Sequence, residues 1–371
     1  MDAIGEEGTL RAGARPLVLL ATTLNYLIIK ALAAGPMRLA ELRRATGLPA
    51  QTTLRGHLSS LGALGVVAKR PASEMPYAVE NELTSVGRDL LGVAVALEAW
   101  LAGAPDGPLS LETGSARGVI KAFVGGWGST ILGALARRPM SLTELDSVIP
   151  TLSYPALERR LSSMRMAGLV EAAPSRGSGT PYAVTEWARQ GVMPLAVACH
   201  CEQLQMRALA APLTQVDIEA GFMLSLPLVG LPREAAGRCF LTVEGDLGSG
   251  CERTGVEVIV EGGQAVACTA ELATRPGPAE PGPYATGSPA RWLGALRDAR
   301  VELLSYAGGK LPMQLVRGLH ETLLAGQCVE AAAGGAQAVT ADAAAPAAAN
   351  FDQPAAASSA AASPRNGTSS S

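Results

Sequence analysis

The sequence predicts a mainly α chain with an α+β portion: two tandem copies of a helix-and-hairpin unit, a C-terminal α+β domain, and a disordered tail. Three observations carry this: an internal duplication, a repeated order of periodicities, and a late change to short β-prone runs. Sliding the sequence on itself by 103 positions lays Pro36-Met37 on Pro139-Met140. Leu39, Glu41 and Leu42 then meet Leu142, Glu144 and Leu145, and Leu58-Ser59-Ser60 meets Leu161-Ser162-Ser163. Over residues 28–67, 15 of 40 positions are identical, the mark of one supersecondary unit written twice. A further two-residue slip brings Pro76-Tyr77-Ala78-Val79 onto Pro181-Tyr182-Ala183-Val184. The slip falls in polar, turn-like sequence, where a hairpin tip absorbs extra residues, so the second hairpin is expected to be the longer.

In the first copy, Leu24, Leu27, Ile28, Ala31 and Leu32 recur at helical spacing and stop at Gly35-Pro36, a helix C-terminal signal. A short helix over 39–42 ends near Gly47. A third helix, 50–64, turns Leu54, Leu58 and Leu61 inward and Gln51, Thr52, Arg55 and Ser59 outward. Two β runs follow, 66–68 and 77–79, around a turn bearing Lys69 and Arg70, and helical periodicity resumes over 90–101. The second copy repeats this with helices over 131–136, 142–145 and 153–167, strands at 169–170 and 182–184, and a closing helix over 195–204. Three helices with a sharp second connection and a two-stranded wing make the winged helix. The expected divisions are an N-terminal segment 1–20, winged helices at 21–104 and 126–210, and a linker with a linking helix at 105–125. An α+β domain at 211–325 and an Ala/Ser-rich tail at 326–371 complete the chain.

Composition narrows the function classes. The chain is 48% apolar but only 4% aromatic, so its cores rest on Leu, Val and Ala. Each copy carries eight basic against six acidic side chains, whereas 211–325 carries nine against thirteen, so the overall charge of −3 hides two weakly basic modules. No long uncharged apolar run appears, and Asp2, Glu6 and Glu7 replace a basic signal-peptide start. A soluble, cytoplasmic chain with no membrane partner is expected. The six cysteines form no CxxC pair, and Cys199-His200-Cys201 reads as helix packing. His57, His200 and His320 stand in no nucleophile or metal motif. The expectation is therefore no catalytic residue, no metal, no cofactor and no enzyme.

The second copy resembles the HxlR family of bacterial winged-helix regulators, relatives of the MarR group. Gly126-Trp127 before an Ile-Leu helix, Arg138-Pro-Met-Ser-Leu-Thr-Glu-Leu145, Leu157-Glu-Arg-Arg-Leu161 and Ala167-Gly-Leu-Val-Glu171 carry the likeness. The first copy fits the same frame less closely, through Leu83-Thr84 and Gly87 after its wing. Members of that family usually act as homodimers on palindromic DNA, so the resemblance implies a dimer fused into one chain. Residues 213–325 are similar to the sterol-carrier-protein-like domain, through Tyr284-Ala-Thr-Gly-Ser-Pro-Ala-Arg-Trp-Leu-Gly-Ala-Leu296 and Gly309-Lys-Leu-Pro-Met-Gln-Leu315. That likeness implies an apolar tunnel for a hydrophobic ligand, with Trp292 as the candidate lining residue and packing beneath a helix as the alternative.

A groove-reading helix needs donors outward and cations nearby. Copy one offers Arg43, Arg44, Gln51, Thr52, Arg55, Ser59, Lys69 and Arg70, and copy two Tyr154, Arg159, Arg160, Ser162, Arg165 and Arg176. Glu158 stands where copy one has Arg55, so an asymmetric operator is expected, or one copy that only positions the other. The expected partners are double-stranded DNA and a hydrophobic small-molecule effector; further self-association as a homo-oligomer stays open. The alternative reading is a carrier or scaffold that uses its winged helices for protein contacts.

Overall fold

A computed structural model describes residues 11–71, 79–174, 179–245, 253–273 and 282–325. The Ala/Ser-rich segment 326–371, most of 1–20's expected N-terminal segment, Tyr77 and Arg176 lie outside those residues. Helix α1 (Ala14–Leu20) begins after Gly13, whose φ of 83° is left-handed. A Cβ at Gly13 would come within 2.9 Å of the Leu195 carbonyl oxygen and the Cys199 backbone nitrogen, so only glycine seats this strap.

The first copy then runs α2 (Thr23–Ala33), β1 (Met37–Arg38), α3 (Leu39–Ala45), α4 (Gln51–Ala63), β2 (Val67–Pro71), β3 (Val79–Leu83) and α5 (Ser85–Ala102). Tyr26, Ile28, Ile29 and Leu32 bury one face of α2 against the others. The connection between α3 and α4 turns through Gly47 and Leu48, both left-handed, with the Leu48 N–H returning to the Arg43 carbonyl at 2.8 Å. After the linker come α6 (Ala116–Val124), α7 (Gly128–Arg137), α8 (Leu142–Val148), α9 (Tyr154–Met166), β4 (Val170–Ala172), β5 (Tyr182–Val184), α10 (Glu186–Gln190) and α11 (Val192–Gln205). The element order of 23–83 thus recurs over 128–184, and α9 starts and ends 103 residues after α4.

The wings correct the expected register. Met37 pairs with Asn81 and Val67 with Leu83 in the first copy; Met140 bridges Tyr182 and Val170 pairs with Val184 in the second. Beyond the wing the equivalent positions are therefore 101 apart, not 105. The Thr84 hydroxyl donates to Gly65 O at 2.6 Å and accepts from Gly87 N, and Thr185 repeats both bonds with Gly168 O and Ala188 N. The first hairpin is the longer one, by two residues. Its second strand lies at 79–83 rather than 77–79, because backbone pairing to β1, not the Pro-Tyr-Ala-Val identity, sets the register.

The closing helices meet. Trp100 at the end of α5 stacks on Trp187 of α10 with centroids 4.6 Å apart. Each indole N–H donates to the other residue's carbonyl, at 2.8 and 2.9 Å. At the opposite end, Gln205 of α11 donates to Asp89 of α5 at 2.7 Å. With contacts at both ends, α5 and α11 run antiparallel. The second closing helix breaks at Gly191, where a Cβ would lie 2.8 Å from the Phe123 ring.

The last region comprises α12 (Gln215–Ser225), β6 (Gly237–Val243), β7 (Arg253–Glu261), β8 (Gln264–Ala273), β9 (Tyr284–Gly287), α13 (Pro289–Asp298), β10 (Ser305–Ala307) and α14 (Leu311–His320). Its sheet has the order β10-β9-β6-β7-β8, with only β6 and β9 parallel. Helix α12 packs on α7 and on β7, so it is apolar on both sides, burying Ile218, Phe222, Met223 and Leu224. One apolar cluster runs from α1 through both copies into this sheet. Among the described residues no single helix is long and apolar enough to cross a membrane.

Candidate nucleic-acid interface

Helix α4 exists because three leucines, 54, 58 and 61, give it a narrow buried stripe; everything else on it is polar or small. Gln51, Thr52, Arg55 and Ser59 are all exposed on the outer face. The helix is anchored from behind, where His57 Nδ1 meets Asn25 Oδ1 of α2 at 2.7 Å. Arg55, Arg44 and Lys69 make no ion pair among the described residues, so their cations are available to phosphate. Arg43 is exposed, but its Nε donates to Pro49 O at 2.9 Å, which ties α3 to the turn before α4.

The wing divides its two cations. Lys69 faces solvent, whereas Arg70 lies 3.2 Å from Glu80 and 3.6 Å from Glu82 across the hairpin. Its charge is neutralised within the protein, so Arg70 braces the wing.

Helix α9 repeats the scheme with Leu157, Leu161 and Met164 inward. Tyr154, Arg159 and Ser162 are exposed, and Arg160 is half-buried. Arg165 lies over the Tyr182 ring, 5.6 Å from its centroid, and so joins the helix to the wing. Glu158 is exposed beside Arg159. A forked guanidinium next to a carboxylate fits a base pair with an acceptor and an amine donor, and it fits phosphate poorly. In front of α9, the Ser141 backbone N–H and hydroxyl both donate to Glu144, at 2.8 and 2.9 Å, and Ser141 Oγ accepts from Glu144 N. That capping box, with Arg138 at 2.7 Å, holds the Glu144 carboxyl at about 2, the Ser141 backbone N–H contributing most.

Two exposed apolar side chains escaped the sequence reading: Leu48 in the turn before α4, 60% exposed, and Met166 at the end of α9, 81% exposed. Both interrupt a mainly polar surface on which Val79 of the wing and Val148 at the end of α8 are exposed as well, and an apolar residue off the buried stripe is the signal that could have found them. Trp292 is elsewhere and fully buried. Its indole donates to Thr242 O at 2.9 Å and its ring meets Phe222 edge-on, so it packs beneath α13 and lines none of the cavities described below. Cys199 and Cys201 lie buried in α11, and burial pushes both thiols up to about 12, which keeps them protonated near neutral pH. His200 between them is pushed down to about 4, chiefly by burial.

Residues 19–105 match the family model of HxlR-like helix-turn-helix domains. The match covers α2 to α5, so the exposed face of α4 lies within the part that is similar to an HxlR-like helix-turn-helix, a family that suggests DNA-binding transcription regulation. It falls on the first copy, which by its motifs resembled the family less closely than the second. The first copy has a glycine turn at Gly47 and an unbroken closing helix, whereas the second breaks its closing helix at Gly191. No curated protein matches the chain.

Proposed function

We propose that this chain is a DNA-binding regulator in which two winged helices form a fused pseudo-dimer, and in which the C-terminal region modulates binding through a hydrophobic ligand. The observation that carries the pseudo-dimer is the antiparallel contact of α5 with α11, held at one end by Gln205 and Asp89 and at the other by Trp100 of α5 on Trp187 of α10. Equivalent closing elements of two copies meet as identical elements meet across a two-fold axis. Helices α4 and α9 each turn polar side chains to solvent, Gln51, Arg55 and Ser59 on one and Arg159 and Ser162 on the other. Arg44, Arg55 and Lys69, which make no ion pair among the described residues, capture phosphates, and the outward helix residues, Arg159 among them, read base edges.

The reading is tested by gel shift of the full chain on the promoter of its own operon, over a salt series. The expected result is a salt-sensitive shift that Arg55→Ala and Arg159→Ala each weaken by about 1–3 kcal/mol. The weak basicity of each copy and the internal neutralisation of Arg70 favour a second reading, a carrier or scaffold using its winged helices for protein contacts. A shift that is absent at low salt selects that reading.

A further inference from the structure

Protein interiors hold few voids larger than a water molecule. Here three clefts, each partly open to solvent, adjoin along one helix. A cavity of about 90 Å³ lies between α11, α12 and α13, bordered by Ala12 of the N-terminal strap. A second, of about 70 Å³, shares Ala12, Leu195, Asp217 and Gly221 with it and reaches α7. A third, of about 230 Å³, shares Arg11, Ser129 and Ala220 with the second and ends on Val148 and Ile149 at the end of α8. Together they trace a seam along α12, from the C-terminal region to the helix in front of α9.

Two features show that the seam is built and not merely loose. Gly221 sits mid-seam, and a Cβ there would meet nothing within 4 Å, so a helix position that any residue could occupy is left empty. The Ser129 hydroxyl, on the wall shared by the second and third cavities, is buried and has no hydrogen-bond partner among the described residues. An orphaned buried hydroxyl is costly and waits for a group to pair with.

The charges on the seam are balanced. Arg11 lies 2.8 Å from Asp217, Arg137 2.5 Å from Glu219, and Arg297 3.8 Å from Asp298. An anionic guest would have to displace a carboxylate; a neutral one would not.

We infer that the seam along α12 binds a neutral, elongated, mostly apolar molecule whose single hydroxyl or carbonyl pairs with Ser129, and that its occupancy shifts α7 and α8 against α12. The site lies between the C-terminal region and the second copy; Trp292 does not line it, though Phe222, which the Trp292 ring meets, does. The regulatory half of the inference rests on the regulator reading above, and the binding half does not.

The test is ligand-dependent melting of the full chain with 1-octanol, octanoate and n-octane as probes. Octanol is expected to raise the melting temperature more than octanoate at equal concentration. Gly221→Leu, which fills the open position, should abolish the octanol shift. Ser129→Val should remove the preference for octanol over octane, and it carries the test alone if Gly221→Leu does not fold. An octanol shift unchanged in both variants, or octanoate matching octanol, overturns the inference. A chain that binds octanol through Ser129 but never shifts its promoter keeps the site and loses the regulator reading; a chain that shifts DNA and ignores octanol loses only the site.

Discussion

The two copies share a frame and differ in what covers the back of their first helix. In the first, the linker lies over α2: Lys30 pairs with Glu112, and Leu111 is buried. In the second, α12 lies over α7, and Arg137 reaches a nearly buried Glu219. The outer faces of α4 and α9 are spared in both. The second of the two units therefore carries a third region on its back, while α4 and α9 both keep a polar outer face. On the proposed reading, modulation would act through the second copy, since of the two only that copy lines the seam along α12.

The shared contact should be the hardest to lose. Trp100→Ala removes a stacked ring and one of two reciprocal hydrogen bonds, at an expected cost of about 3–5 kcal/mol in urea unfolding. Because Trp100 and Trp187 belong to different copies, the transition should stay single; two separated transitions would show that the copies are stable independently. A smaller effect lies at the helices before α4 and α9. In the second copy Ser141 caps α8 through its hydroxyl, whereas in the first Arg38 offers α3 only its backbone N–H to Glu41. Ser141→Ala should cost about 1 kcal/mol, and Arg38→Ser should gain a similar amount; equal responses in the two copies would erase this asymmetry.

The smallest effect is in pH. Glu144 titrates at about 2 in the folded chain, below its ordinary value, so its contribution is complete above the usual carboxylate range and is lost as pH falls toward 2. Glu202, buried at the Gly13 strap, has the opposite sign: burial raises its carboxyl, so its contribution declines as pH rises above that range. Carboxyl carbon titration by NMR distinguishes them, and movement of both in one direction would contradict the geometry.

Much of the frame was legible because apolar periodicity and a 103-residue offset are both written locally. Helix α4 shows its three leucines and its outward Arg55 to anyone who counts by sevens. The wing register was not legible, since Pro-Tyr-Ala-Val recurs at one offset while Met37 and Met140 fix the pairing at another. Nor was the ion pairing of Arg70, which depends on Glu80 and Glu82 facing it across that same register. The break at Gly191 answers to Phe123 and the strap at Gly13 to Leu195 and Cys199, contacts between segments far apart in sequence.

The central claim is that one chain presents two reading helices to one duplex. A hydroxyl-radical footprint of the full chain on its promoter tests it most directly. Two protected segments about 10 base pairs apart are expected, one helical turn, with Arg55→Ala weakening one and Arg159→Ala the other. A single protected segment, or both variants acting on the same one, would contradict the account.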